Sequence, residues 1–524
     1  MVTHTQSIHR TALGYAAEQG DVDQVKKLLA DPENNVNEPD DKCKYPLHLA
    51  AENGHVEVVK LLLDEPLINA NVLDGNGHTP LSLATKNSHV DIVKLLVSVP
   101  GIDVNKGSPL AGAVEKGYID IVKLLLSAPG VDVNECYPTP LARAVEKGYI
   151  DIVKLLVAVP GVDVNEGYPS PLARAVEKGY IDIVKLLVSV PGVEVNECYT
   201  SPLASAVEKG YIDIVKLLLS APGVDVNKGF TTPLVKAAEE GHIDIVKLLL
   251  SAPGMDVNAG FTTPLAKAAE EGHIDIVKLL LSVPGVDVNE DAPLAIAAEK
   301  GHIDIVKLLL SVHGVDVNKG APLAKAAESG HIDIVKLLLT VPGVDVKKDA
   351  PLARAAGRGH IDIVKLLLTV PGVDINKRGG NPTLSPLAGA AYNGHKDIVN
   401  LLLTVPGIDV NKGNPLKITV ERDEETCFKI LLSNQLININ QYDWLGNTAL
   451  SVAEKYKYFR WQYAKLLREH PNIRFSLTAV ILRYTTAPVR RFVTSAWFRD
   501  WGVFWLVSLI IYILWMLWIL SHLN

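Results

Sequence analysis

Between Thr263 and Asn289 apolar residues recur with a helical period in two short runs separated by a glycine. In the first run Leu265, Ala266, Ala268 and Ala269 share one face, while Lys267, Glu270 and Glu271, at i, i+3 and i+4, share another. Pro264 suits the first helical position, where a missing N–H costs nothing, and Thr263 before it can cap. Gly272 supplies the stop. In the second run Ile276, Val277, Leu279, Leu280 and Leu281 form a wide apolar surface, and Asp275, Lys278 and Ser282 fill the remaining strip. Asp275 lies in the first turn, the favourable end of the helix dipole for an acid. Pro284-Gly285 ends this helix, and Val286 to Asn289 reads as a short extended exit.

The same unit recurs along the chain. Its first-helix anchors are Ala12, Pro46, Pro80, Pro109, Pro140, Pro171, Pro202, Pro233, Pro264, Pro293, Pro322, Pro351, Pro386, Pro415 and Ala449, which makes fifteen repeats. Their spacings are 34, 34, 29, five of 31, three of 29, then 35, 29 and 34 residues. A helix pair of this size cannot bury its apolar face alone, so neighbours must cover it. A thin alanine layer stacked against a thick leucine layer predicts a curved, all-α stack with the alanine side concave. At 524 residues a single compact core would be unusual, whereas a repeat stack has no such ceiling.

The recurring segments Thr79-Pro80-Leu81, Pro46-Leu47-His48-Leu49-Ala50-Ala51, Gly54-His55 and Val58-Val59-Lys60-Leu61-Leu62-Leu63, with the repeated Asp-Val-Asn, resemble the ankyrin repeat over about residues 9 to 470. The resemblance implies a solenoid that binds other macromolecules and catalyses nothing. The usual ankyrin period is about 33 residues, so the middle of this array is short. The shortening lies where ankyrins carry a β-hairpin finger, and it predicts reduced fingers with partner contact moved to the groove. In Asn289-Glu290-Asp291-Ala292-Pro293 almost no finger remains, and Ala292, Ala321 and Ala350 stand where Thr or Ser caps other units.

Charge is distributed unevenly. Residues 474–500 carry Arg474, Arg483, Arg490, Arg491 and Arg499 against Asp500 alone, and residues 1–473 hold a net charge of −12 within a total of −8. Then Trp501 to Leu520 runs for twenty uncharged residues, about 30 Å as a helix, the thickness of a bilayer core. Trp501, Trp505, Trp515 and Trp518 suit its two interfaces. The positive-inside tendency places the arginine neck, with Arg483, Arg490, Arg491, Arg499 and Trp497 at the membrane surface, on the cytosolic side. The expected organisation is a short tail (1–8), the repeat array with atypical end units (9–473), a basic neck (474–500), a transmembrane helix (501–520) and a non-cytosolic tail (521–524). Met1 to Gly14 has no apolar signal segment. The layout is that of a tail-anchored protein, and so apolar a span without a basic tail favours the endoplasmic reticulum or a later membrane over the mitochondrial outer membrane.

Candidate chemistry is sparse. His55, His89, His242, His273, His302, His331, His360 and His395 hold one place in successive units. Packed helices lie about 8–10 Å apart, too far for such a ladder to share one zinc at about 2 Å. A structural role at the turn between helices is expected, with no metal and no cofactor. Cys43, Cys136, Cys198 and Cys427 show no paired spacing and read as free thiols. No phosphate loop, nucleophile elbow or zinc-hydrolase motif is present, and an acidic body argues against nucleic acid.

Two ladders remain as partner-binding candidates. On the alanine helices Arg143, Arg174, Lys236, Lys267, Lys325 and Arg354 occupy one position, with Glu146, Glu177, Glu239 and Glu270 among the acids one turn on. Either each base meets its own acid at i+3 on a solvated face, or the stripe is a groove of alternating charge for an extended partner. Tyr137, Tyr168, Tyr199, Phe230 and Phe261 recur every 31 residues in the short fingers; they form contact hot spots or stack to seal the space the hairpins leave.

The function these features imply is a membrane-anchored scaffold that recruits an unidentified protein through the concave groove, with no small-molecule substrate. The alternatives are an elastic spacer tethered to a membrane and a microbial effector inserted in a host membrane. Each missing cap costs about 1 kcal/mol. Residues 290–360 should therefore exchange amide hydrogens fastest within the inner array, and exchange slower there than at the ends would contradict this.

Overall fold

The computed structural model describes residues 11–196, 201–229, 231–380 and 382–472. Among these lie thirty helices in fifteen pairs. The chain divides into two compact units, Met1–Pro264 and Leu265–Asn524. The first holds eight pairs, from Ala12–Gln19 with Val22–Leu29 to Pro233–Glu240 with Ile243–Leu250. The second holds seven, from Pro264–Glu271, which begins at the boundary, to Ala449–Lys455 with Lys457–Glu469.

All but the last of these helices are seven or eight residues long, too short to persist alone in water. Packing holds them. Leu265, Ala266, Ala268 and Ala269 of one helix and Ile276, Val277 and Leu280 of its partner are buried, and the same positions are buried in repeat after repeat. Leu279 and Leu281 are only half-buried, so the leucine face is narrower than its composition suggests. Three apolar residues on each inner second helix, each contributing about 1.5–3 kcal/mol on burial, carry the layer; the terminal helix Val22–Leu29 buries only Val25.

The connections depart from the expected hairpins. Among the described residues there is no strand, only one antiparallel bridge between Gly379 and Leu384. Where repeats are 34 residues apart, an aspartate builds a tight turn instead. Asp40, Asp74 and Asp443 each donate a backbone N–H across the turn, to Lys44, His78 and Asn447 at 2.8–2.9 Å. The carboxylate of each accepts two further N–H groups inside it.

Where repeats are 31 residues apart, Thr139, Ser170, Ser201 and Thr232 cap the first helix through their side chains. Where they are 29 apart, the residue before proline is Ser108, Ala292, Ala321, Ala350 or Asn414, each at φ between 49° and 57° with no side-chain cap. The residue before each of these also has positive φ. Two fewer residues force a left-handed double turn, which costs about 1–2 kcal/mol per non-glycine residue. Ser108 has a hydroxyl and still does not cap. The loss is therefore imposed by the backbone, not by alanine as the sequence suggests. Gly320 shows how close the packing is there: a Cβ on it would lie 2.7 Å from the Ala292 methyl.

Asparagine supplies the contact from one repeat to the next. In the first unit the Asn105 side chain donates to Gly130 O (2.8 Å) and accepts from the Asp132 N–H (2.8 Å). Asn71, Asn134, Asn165, Asn196 and Asn227 do the same one repeat apart. In the second unit Asn289, Asn318, Asn376 and Asn411 repeat the pattern. The exit segment that looks extended in sequence is thus a clamp. Lys347 stands where an asparagine belongs.

Among the described residues no helix is long and apolar enough to cross a membrane. The tail 1–8, the neck 474–500 and the apolar run 501–520 lie outside the described residues, as do Tyr199 and Phe230.

Two hydrogen bonds of about 0.5–1.5 kcal/mol each are missing at Lys347. Lys347→Asn should place a side chain against Gly372 O and the Asp374 N–H and slow exchange in Ile332–Leu339 and Ile361–Leu368. Asn318→Ala should accelerate exchange in its own repeat and the next; equal rates in both variants would remove the clamp from the account.

Candidate functional site

The charged stripe on the first helices is paired, mostly across repeats. Arg174 Nη1 lies 2.7 Å from Glu146 Oε2 of the preceding repeat, and Lys178 Nζ lies 2.6 Å from the other oxygen. Arg143 and Lys147 bracket Glu115 in the same way, at 3.5 and 2.6 Å. In the second unit Arg354 and Arg358 bracket Glu328, the latter at 3.0 Å, and Lys325 reaches Glu299 at 2.9 Å. The guanidinium also donates to its own connection, from Arg143 Nε to Pro138 O at 3.0 Å and from Arg354 Nε to Asp349 O at 2.9 Å. With its side chain only 16% exposed, Arg174 is more structural than solvated.

Among the described residues of this stripe, the expected i+3 pairing holds only for Lys236 with Glu239 (3.0 Å) and Lys267 with Glu270 (3.1 Å). The residue four positions after the base differs between most of these units, although Lys325, which reaches Glu299, has Ser329 there, and Lys236 also lies 4.0 Å from Glu208 of the preceding repeat. In Arg143, Arg174 and Arg354 units it is Lys147, Lys178 or Arg358, a second cation that pushes both toward the neighbour's acid. In the Lys236 and Lys267 units it is Glu240 or Glu271, which draws the lysine back; Glu271 lies 3.1 Å from Lys267. That second cation is the part sequence reasoning missed, although the spacing Arg-x-x-x-Lys displays it.

These contacts set the carboxylates' acidity. Hydrogen bonds from Lys178 and then Arg174 hold Glu146 below the ordinary glutamate value of 4.5. Lys147 chiefly does the same for Glu115, and Lys267 for Glu270. Burial alone would raise Glu328, but Arg354 and Arg358 outweigh it and hold it low.

The ladder stops at two places. Glu177 is exposed with no ion pair among the described residues, and the next repeat has Ser205 where an arginine would reach back. In the second unit Gly357 and Gly389 replace the acid and the base. They leave a cleft of about 80 Å³ edged by Arg354, Arg358 and Tyr392.

The histidines serve the stack. His302, His331 and His360 each hydrogen-bond through Nε2 to the main-chain carbonyl of Glu270, Glu299 or Glu328, at 2.9–3.0 Å. His55, His89 and His395 do likewise. The turn they engage belongs to the preceding repeat. Each ring covers that repeat's glycine so closely that a Cβ on Gly301 would lie 2.6 Å from His331. Tyr149, Tyr180 and Tyr211 cover Gly117, Gly148 and Gly179 in the same manner.

A family model described as ankyrin repeats (3 copies) matches residues 13–108, 110–198, 172–261, 203–292, 258–321, 294–379 and 387–478. The chain belongs to the ankyrin-repeat family. Among solved structures it is similar to the human ASB11 ankyrin repeat domain, at 28% identity over 41% of this chain and 100% of that one, with a TM-score of 0.35. It is also similar to EF0377, an ankyrin repeat protein, at 32% identity over 34% of this chain and 96% of that one, with a TM-score of 0.32. No curated protein matches.

Of the aromatic positions in this ankyrin array, Tyr137, Tyr168 and Phe261 are largely exposed, Phe261 to 89%. Cys43 is exposed, Cys136 half-buried and Cys427 buried. Burial pushes the Cys427 thiol up to about 11, which keeps it protonated.

A carboxylate held below its ordinary value stabilises the fold above that value and loses the contribution as pH falls through the lowered one. Glu328→Gln should therefore be less stable than the native chain at neutral pH, with the difference closing as the pH drops below 4.5. Chemical denaturation across that range measures it, and a difference independent of pH would rule out the ion pairs as its source.

Proposed function

We propose that this ankyrin array is a non-catalytic scaffold that binds a protein partner along its first-helix face while a membrane segment tethers it. The supporting observation is that the face alternates paired charge with two interruptions. The pairs present ordered Lys147, Lys178 and Lys300 at the surface, whereas Glu177 and the glycine cleft at Gly357 and Gly389 are left for a ligand's own groups. An extended chain with basic residues toward Glu177 fits the first of these.

The tether rests on residues 501–520 and the arginine neck, whose composition suits a single span with the array on the cytosolic side. The endoplasmic reticulum or a membrane downstream of it is the proposed location. A spacer role is the second reading, favoured by asparagine clamps that repeat with almost identical geometry.

Crosslinking from membranes should compare the native chain with one carrying Glu177→Lys and Lys147, Lys178, Lys236 and Lys267 changed to Glu. A partner captured by the first and lost by the second, with helicity retained in both, supports the face. A partner kept by both moves the contact to Tyr137, Tyr168 and Phe261. No specific partner in either favours the spacer.

A further inference from the structure

Three connections carry the aspartate-built turn, and their tips differ. Asp41-Lys42 and Gly75-Asn76 are polar, but the last tip is Trp444-Leu445. Trp444 is 84% exposed and Leu445 51%. The tip is not a loose loop. Asp443 accepts from the N–H groups of Leu445 and Asn447, both at 2.8 Å, and its other oxygen lies 2.9 Å from Lys417 Nζ. An ordered turn therefore holds a large apolar pair in solvent, an arrangement that marks an interaction surface rather than a core.

We propose that this finger inserts into the interface of an anionic bilayer, fixing how the last repeats stand on the membrane; the inference rests on the tether proposed above. Two features identify the occupant as lipid. The Asn440 side chain donates to Asn472 O at 3.0 Å, so Asn472 lies at the base of this same finger, two residues before the arginine neck that leads to residues 501–520. The helix Lys457–Glu469 that precedes this exit is basic: Lys457, Arg460, Lys465 and Arg468 stand against Glu469. A basic last helix and a tryptophan–leucine tip on the same terminal repeat match a negative headgroup layer above an acyl boundary. Tryptophan suits that depth because its ring is apolar and its N–H stays near water.

The test uses the full chain in vesicles of phosphatidylcholine with phosphatidylserine. Cys43, Cys136 and Cys198 are changed to serine, and an environment-sensitive nitrobenzoxadiazole dye is attached through Leu445→Cys. A parallel chain carries the dye through His313→Cys. The expected result is a blue shift and quenching by nitroxide-labelled lipid at 445 only, both weakened by Trp444→Ser and by omitting phosphatidylserine. A dye at 445 as open to aqueous iodide as that at 313, in chains that resist alkaline carbonate, overturns the inference and leaves the tether standing. A dye shielded from iodide but not quenched by lipid means that protein covers the finger, and also overturns it. Chains released by carbonate overturn the tether and this inference together.

Discussion

One asparagine side chain, bonded to a carbonyl and to an amide of the next repeat, fixes how consecutive helix pairs sit. Helices of two turns have no stability of their own, and three buried residues on a second helix can slide unless something directional sets their register. The clamp at Asn105 or Asn318 does this on one side of the stack. On the other side a histidine or tyrosine reaches back over the preceding glycine, and a positive-φ backbone is what leaves room for it. The leucine and alanine layers supply the free energy, and these polar contacts decide where it is gained.

Much of this was legible in the residues. Pro264, Gly272 and the alternation of alanine with leucine specify the helix pair, and repetition specifies the stack. What escaped was anything that depends on a neighbour one repeat away. Asp-Val-Asn looks like an extended tripeptide because its partner is 25–27 residues distant. The destination of Arg174 is hidden for the same reason: an acid three residues on, Glu177, is visible in the sequence, while Glu146 is a neighbour only in space. The left-handed turns at Ser108 and Ala292 escaped because they follow from connection length, which overrides the capping preference of the residue that stands there.

The charged face combines two properties. Bracketing an acid between two cations ties adjacent repeats together and also neutralises most of what a partner would meet. Selectivity then falls to places where the pairing rule lapses, Glu177 opposite Ser205 and the cleft between Gly357 and Gly389. A long, nearly uniform array can in this way offer a few distinct addresses without altering its layers.

The asparagine and histidine bonds share a further property: they end on backbone atoms of the neighbouring repeat. A main-chain carbonyl is the same in every copy, so a repeat does not need to have co-evolved with the one beside it. Gaining or losing a whole unit leaves these contacts intact, whereas the arginine–glutamate brackets require matched residues on both sides. The array is thus tolerant of changes in copy number, and its charge pattern is the part that records the order in which the copies stand.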